Sequence, residues 1–339
     1  MQIRFSLLST LCLACTLLVF SSCEDELLTP DAQFELDEAK LAVTDAPSAQ
    51  ELVDIDYDVA NDYYVVNLRD RDGRVYTYYG NQKTYTMQRE DRDVNSAKGD
   101  FLAQAIANDG TYQVVSLFQG AINTNGGYTF SGAPRTNSGG AKVGDLVEFI
   151  DIDYDSANEY YVISGRDASG AVRAYYGKTR NWTEVREDRN FEVAMGDYLA
   201  AAFDGAGNHL VISTFQGKVV ANRGYTFSGA PRTNSGGANV GDLVEFLNVD
   251  YDSANDYYLV TGRNAAGEII SYYGNQRDWT QVNDKRDVTQ AWGDYQATAY
   301  ANDGTFTTAT ILQNKVSVQK GYTFYNAPRQ NSGKYFLRK

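Results

Sequence analysis

Asp151-Ile152-Asp153-Tyr154-Asp155-Ser156-Ala157-Asn158-Glu159-Tyr160-Tyr161-Val162-Ile163-Ser164-Gly165 is the stretch that decides the fold. It reads as an acidic, turn-forming segment followed by a β-rich run. It also recurs: Asp56-Tyr57-Asp58, Asp153-Tyr154-Asp155 and Asp250-Tyr251-Asp252 stand 97 residues apart. A second marker keeps the same spacing, at Gly127-Tyr128-Thr129-Phe130, Gly224-Tyr225-Thr226-Phe227 and Gly321-Tyr322-Thr323-Phe324. Residues 127–141 and 224–238 are identical. Self-similarity at a fixed period is the signature of a repeat architecture. The units run over about 51–144, 145–241 and 242–339.

Each unit holds a weaker twofold match. Tyr154–Ser164 aligns with Phe203–Ser213, and both read strand, polar turn, strand. Within unit two, strands are expected at 145–150, 159–166, 171–176 and 182–186, then at 197–203, 209–215, 218–222 and 224–228. Val, Ile, Tyr and Thr fill these runs, with Gly, Asn and Asp between them. No helical period is sustained. Six half-units of four strands predict an all-β, six-bladed β-propeller. Three tandem β-sandwiches of immunoglobulin length are the alternative. The internal twofold match favours the propeller, because a sandwich has no need to repeat every four strands.

The N-terminus reads as an address. Arg4 precedes an apolar run from Phe5 to Phe20, which ends in Phe20-Ser21-Ser22-Cys23. The run is short for a membrane span and suits a signal segment. Small residues before a Cys resemble the lipobox of bacterial lipoproteins, with Phe20 where that family usually has Leu. The resemblance implies cleavage after residue 22 and lipidation of Cys23. Cys12 and Cys15 would leave with the signal, so the mature chain could form no internal disulfide. Glu24-Asp25-Glu26 resembles the surface-export signal of Bacteroidota lipoproteins, which implies an outer-membrane protein facing the cell exterior. Residues 23–50 then form a tether; from 24 to 50 it carries eight acids and one Lys.

Charge and composition narrow the function. There are 44 Asp+Glu against 30 Lys+Arg, a net charge of −14. This opposes nucleic acid as a partner, because phosphate binding needs a basic surface. One His in the whole chain leaves little for a zinc, copper or haem site. No Gly-rich phosphate loop is present. His209 shares its repeat column with Tyr112 and Phe306, an aromatic strand position rather than a catalytic one.

Three sets of residues are candidate sites. The first is acids at positions 1, 3, 5 and 9 of one segment per unit. They are Asp54, Asp56, Asp58 and Asp62 in unit one. In unit two they are Asp151, Asp153, Asp155 and Glu159, and in unit three Asn248, Asp250, Asp252 and Asp256. Read as loops, they offer the oxygens that calcium takes; read blandly, they are acidic turns. They resemble the calcium loops of FG-GAP repeats in integrin-type propellers, but Val59, Ser156 and Ser253 stand where that repeat usually has Gly. The second set is Arg135, Arg232 and Arg329 in the repeated Ala-Pro-Arg loops, which could converge on a ligand or only link blades. The third is aromatic: Tyr pairs in every unit, with Trp182 and Trp279 in one column with Tyr85, suited to sugar stacking or to packing between blades. Repetition of every candidate points to a multivalent binder or adhesin for an extracellular glycan or protein. A polysaccharide hydrolase or lyase and a structural envelope protein are the alternatives.

Overall fold

The computed structural model describes residues 50–81, 84–88, 98–129, 140–178, 180–185, 194–225, 237–275, 277–282, 291–320 and 335–337. The expected signal segment, the tether and Cys23 lie outside them. Among the described residues no helix is long and apolar enough to cross a membrane.

The chain forms six four-stranded antiparallel sheets, each built from four consecutive strands. The first strands are Glu51–Asp58, Asp100–Ile106, Glu148–Asp155, Asp197–Phe203, Leu243–Asp252 and Asp294–Tyr300. These are the inner strands, and residues from all six line one central cavity. The protein is a six-bladed β-propeller; the sandwich alternative is excluded.

Strand alternation builds the ring. Neighbouring residues of a strand point to opposite faces, so Val65 packs toward sheet 2 while Val66 packs toward sheet 6. Every joint carries apolar packing, and five of the clusters join sheets that are consecutive in the chain. The sixth joint closes the circle: Val66, Leu68 and Tyr78 of sheet 1 meet Ala309, Val316 and Val318 of sheet 6 and Leu337. Gln50 clasps this seam, its N–H donating to Asn314 O at 3.0 Å and its Oε1 accepting from Val316 N at 3.0 Å. The Tyr pairs divide as alternation requires, with Tyr160 toward sheet 4 and Tyr161 toward sheet 2.

Two strand boundaries differ from the sequence reading. The inner strand of unit two runs over Glu148–Asp155, not 145–150, so the acids expected in a loop lie on a strand. The turn is confined to residues 156–159. The third strand of sheet 4 extends over Lys218–Tyr225, absorbing part of the expected fourth strand, and the fourth is the short Ala238–Asn239. That strand follows the Gly-rich joint, where two residues suffice to pair with Val220 and Ala221.

His209 is fully buried, with its ring 5.2 Å from that of Phe203. Burial holds its pKa well below the usual 6.5. The unfolded chain therefore takes up a proton that the folded chain refuses, and stability falls as pH drops below about 6.5. Replacing His209 by Phe, the residue at the matching position 306, is expected to raise the melting temperature at pH 5 more than at pH 8. Thermal melts of the two proteins at both pH values check this.

Candidate functional site: an acid-lined axis and a tyrosine cleft

The inner strands bring together acids from all three units. Asp54, Asp56, Asp151, Asp153, Asn248 and Asp250 line a central cavity of about 260 Å³. On a strand, residues i and i+2 share a face. Positions 1 and 3 of each unit therefore project together toward the next sheet. Asp54 Oδ2 accepts from Gln104 N and Asp56 Oδ2 from Ile106 N, both at 3.0 Å. Asp151 Oδ2 accepts from Ala201 N at 2.8 Å and Asp153 Oδ2 from Phe203 N at 3.0 Å. Asp250 Oδ2 accepts from Tyr300 N at 3.0 Å. Asn248 reverses the polarity, donating Nδ2 to Thr298 O at 3.1 Å. These bonds staple the joint within each unit. The joints between units lack these carboxylate staples and combine apolar packing with other hydrogen bonds, among them Tyr161 OH on Thr111 O, Ile122 N on Leu146 O and Tyr258 OH on Asn208 O.

Close packing around a narrow channel disfavours the charged form of each carboxyl. Burial, then the neighbouring Asp56, pushes Asp54 from 3.8 to about 8. Burial pushes Asp56 to about 7, Asp151 to about 6 and Asp250 to about 8. Asp153 rises well above 3.8, first by burial and then through repulsion from Asp151, Asp250 and Asp56. The position-3 acids of the three units thus feel one another across the axis.

The remaining acids point elsewhere. Asp58, Asp155 and Asp252 are buried and cap their own turns, each accepting from an Asn three residues on: Asn61 Nδ2, Asn158 Nδ2 and Asn255 Nδ2, all at 2.7 Å. Asp62, Glu159 and Asp256 end the turns in the left-handed region, at φ of 55–57°. Asp62 accepts from Tyr57 OH, Asp256 accepts from Tyr251 OH, and Glu159 pairs with Lys178 at 3.2 Å. The acids of one unit therefore do not converge as the FG-GAP resemblance implied. Among the described residues, no three Asp, Glu, His or Cys side chains are placed to hold a metal ion. The calcium loop does not fit this geometry, since strand pairing separates its positions.

The aromatic candidates separate into two kinds. Trp182 turns into the joint with sheet 2, donating Nε1 to Thr124 Oγ1 at 3.1 Å, and Trp279 packs into the equivalent joint with sheet 4. Tyr85 stacks on Tyr335 across the seam, centroids 5.8 Å apart. These three side chains hold blades together. Tyr63, Tyr79, Tyr160, Tyr176 and Tyr273 also pack against joint clusters and, like Tyr257, stay half-buried. Tyr257 and Tyr273, centroids 5.0 Å apart, wall a cleft of about 340 Å³ with Gly274, Arg277, Asp278 and Thr280. The tyrosines are among the sequence candidates, whereas the polar residues opposite them are not. The signal was their recurrence: Lys83, Arg180 and Arg277 occupy one repeat column, and Thr86, Thr183 and Thr280 another. Arg135, Arg232 and Arg329 lie outside the described residues.

No protein-family model matches the chain, and no curated protein matches it in sequence. Solved structures do match in shape. A variant of Aleuria aurantia lectin in complex with Fucα1-6GlcNAc superposes with a TM-score of 0.56 at 12% identity, covering 85% of this chain and 97% of that one. AofleA from Arthrobotrys oligospora gives 0.55 at 11% identity, covering 86% of each chain. SapL1 lectin in complex with α-methyl fucoside gives 0.54 at 12% identity, covering 86% of this chain and 95% of that one. At such identities the likeness establishes the fold.

Proposed function

We propose that this chain is a multivalent carbohydrate-binding propeller carried at the cell surface by a lipidated N-terminus. The observation that carries the reading is the threefold repetition of accessible surface chemistry around a closed ring. A catalytic centre needs one asymmetric constellation, and the acids of the axis are instead matched between units at every position but that of Asn248. Three equivalent surfaces suit a repetitive ligand, because linked sites convert weak contacts into avidity 10²–10⁴ above a single site. Two of the propellers that share this shape are lectins seen with fucosyl sugars, which supports a glycan over a protein as the partner. The lipobox-like Phe20-Ser21-Ser22-Cys23 supports the anchor, and the acidic tether would hold the ring off the lipid surface.

A glycan array probed with residues 48–339 tests the binding. Binding to a restricted set of glycans is the expected result, and a blank array at micromolar protein would sink it. The anchor is tested separately: Cys23→Ala is expected to release the chain from the membrane fraction and abolish labelling by fatty acid.

A further inference from the structure

The geometry points to the tyrosine-walled cleft of unit three, and to the equivalent tyrosine pairs of units one and two, as the sugar sites, each taking a neutral pyranose unit; this rests on the carbohydrate-binding reading above. The pairs are Tyr63–Tyr79, Tyr160–Tyr176 and Tyr257–Tyr273, with ring centroids 5.1, 5.0 and 5.0 Å apart and tilted by 43°, 41° and 38°. The even sheets also carry aromatic pairs, Phe203 with His209 and Tyr300 with Phe306, but these are sealed in the core. The odd pairs pack partly against the joint clusters yet are half-buried rather than sealed.

A close backbone approach completes each cleft. A Cβ on Gly80, Gly177 or Gly274 would lie 2.0, 2.0 or 2.3 Å from the carbonyl oxygen of Thr84, Asn181 or Asp278. Glycine lets the fourth strand fold back this tightly. In unit three the return sets exposed Arg277, Asp278 and Thr280 beside the tyrosines.

These groups match a pyranose. Its C–H face can lie on the tyrosine rings while its hydroxyls meet mixed polar groups, the usual division of a small-ligand site into apolar walls and a few placed polar atoms. Arg277 donates only, Asp278 accepts only, and Thr280 does both. In unit two the same columns hold Arg180, Asn181 and Thr183, and in unit one Lys83, Thr84 and Thr86. The sequence columns thus repeat a cation, a polar acceptor and a hydroxyl in every unit, with Lys83 itself outside the described residues. The cleft of about 340 Å³ lies at the small end of ligand sites, which run from about 300 to 1,000 Å³. Neutral sugars are favoured over polyanions because residues 51–339 hold 28 basic and 36 acidic residues, a net −8.

The test uses methyl glycosides of fucose, mannose, galactose and glucose, methyl glucuronide as the acidic arm, and the strongest array glycan. Calorimetry on the wild type is expected to give three sites for a neutral sugar. Tyr273→Ala is expected to leave two. The triple variant Lys83→Ala/Arg180→Ala/Arg277→Ala, which alters no apolar core residue, is expected to melt like the wild type and to lose at least 100-fold in apparent affinity for the immobilised glycan. A folded triple variant that binds undiminished would overturn the clefts while leaving a carbohydrate-binding propeller in place. A wild type that binds no sugar would overturn both. Preference for the glucuronide would overturn the neutral class.

Discussion

Deleting residues 335–339 is expected to lower the melting temperature by about 10 °C, far out of proportion to five residues. At the first five joints the neighbouring blades are also successive in the chain. At the sixth they are its two ends. Among the described residues each sheet takes all four strands from one continuous stretch, and the last sheet is built from β-strands of the C-terminal end. Side chains and a few hydrogen bonds hold the seam. The deleted residues include Leu337, 1% exposed in the seam cluster, and Tyr335, which stacks on Tyr85. They also remove the Leu337 N–H bond to Val316 O and the pairing of Phe336 with Ser317. Losing a buried Leu costs about 2–5 kcal/mol, and a stacked aromatic pair about 1 kcal/mol more. In a domain of this size each kcal/mol moves the midpoint by roughly 2–4 °C. Deleting 338–339 alone is the control and is expected to change little. Calorimetry of the three proteins decides it, and a loss below about 2 °C for the longer deletion would mean that the seam is not the weak joint. Gln50→Ala, which releases the clasp on Val316, is expected to give a smaller loss in the same direction.

The repeat made the architecture legible before any coordinates. Six half-units of four strands gave the blade count, and alternation within the Tyr pairs gave the two faces of each blade. The acids were harder. Asp is poorly represented in strands, so Asp151 to Glu159 reads as a loop. Yet Asp-Ile-Asp-Tyr-Asp alternates with period two, the mark of a strand with one polar face. The alternation is the better guide because the acids are stabilised by backbone N–H groups of the next blade, such as Ala201 and Phe203. Those donors lie 50 residues away, so no local motif reveals them. Trp182 shows the opposite failure. Its chemistry suits a sugar platform, but its indole faces Thr124 of the preceding blade. Only the third dimension separates it from Tyr273, whose cleft stays open. The polar partners of the clefts were visible as repeat columns, but nothing in one dimension placed them against the tyrosines.

Raising the pH from 6.5 to 8.5 is expected to destabilise the propeller by several degrees, the reverse of the usual behaviour of an Asp-rich protein. The sign follows from the axis. In the folded chain Asp54 and Asp250 hold their protons up to about pH 8 and Asp56 up to about 7, whereas the unfolded chain releases them near 3.8. Between these values the folded state binds more protons, so stability is greatest at the acid end and falls as pH rises. Each such group contributes about 1.4 kcal/mol per pH unit across its window. His209 acts in the opposite direction, adding a little stability as its unfolded form loses its proton just above pH 6.5, and is silent above about pH 7.5. Groups with lowered pKa, such as Asp109 and Asp167, act only at the acid end, where their protonation removes stability. The axis therefore dominates the interval from 6.5 to 8.5. Unit three supplies the matching mutation, because Asn248 shows that an amide fits at position 1. Asp54→Asn with Asp151→Asn is expected to raise the midpoint at pH 8.5 and to flatten its pH dependence. Calcium gives an independent reading. An ion held at 100 times its dissociation constant would stabilise the fold by about 2.7 kcal/mol, whereas carboxylates committed to backbone N–H groups leave chelator without effect. Melts at both pH values, with calcium and with chelator, separate these outcomes. Stability that rises with pH in chelator would refute protonated carboxyls at the axis.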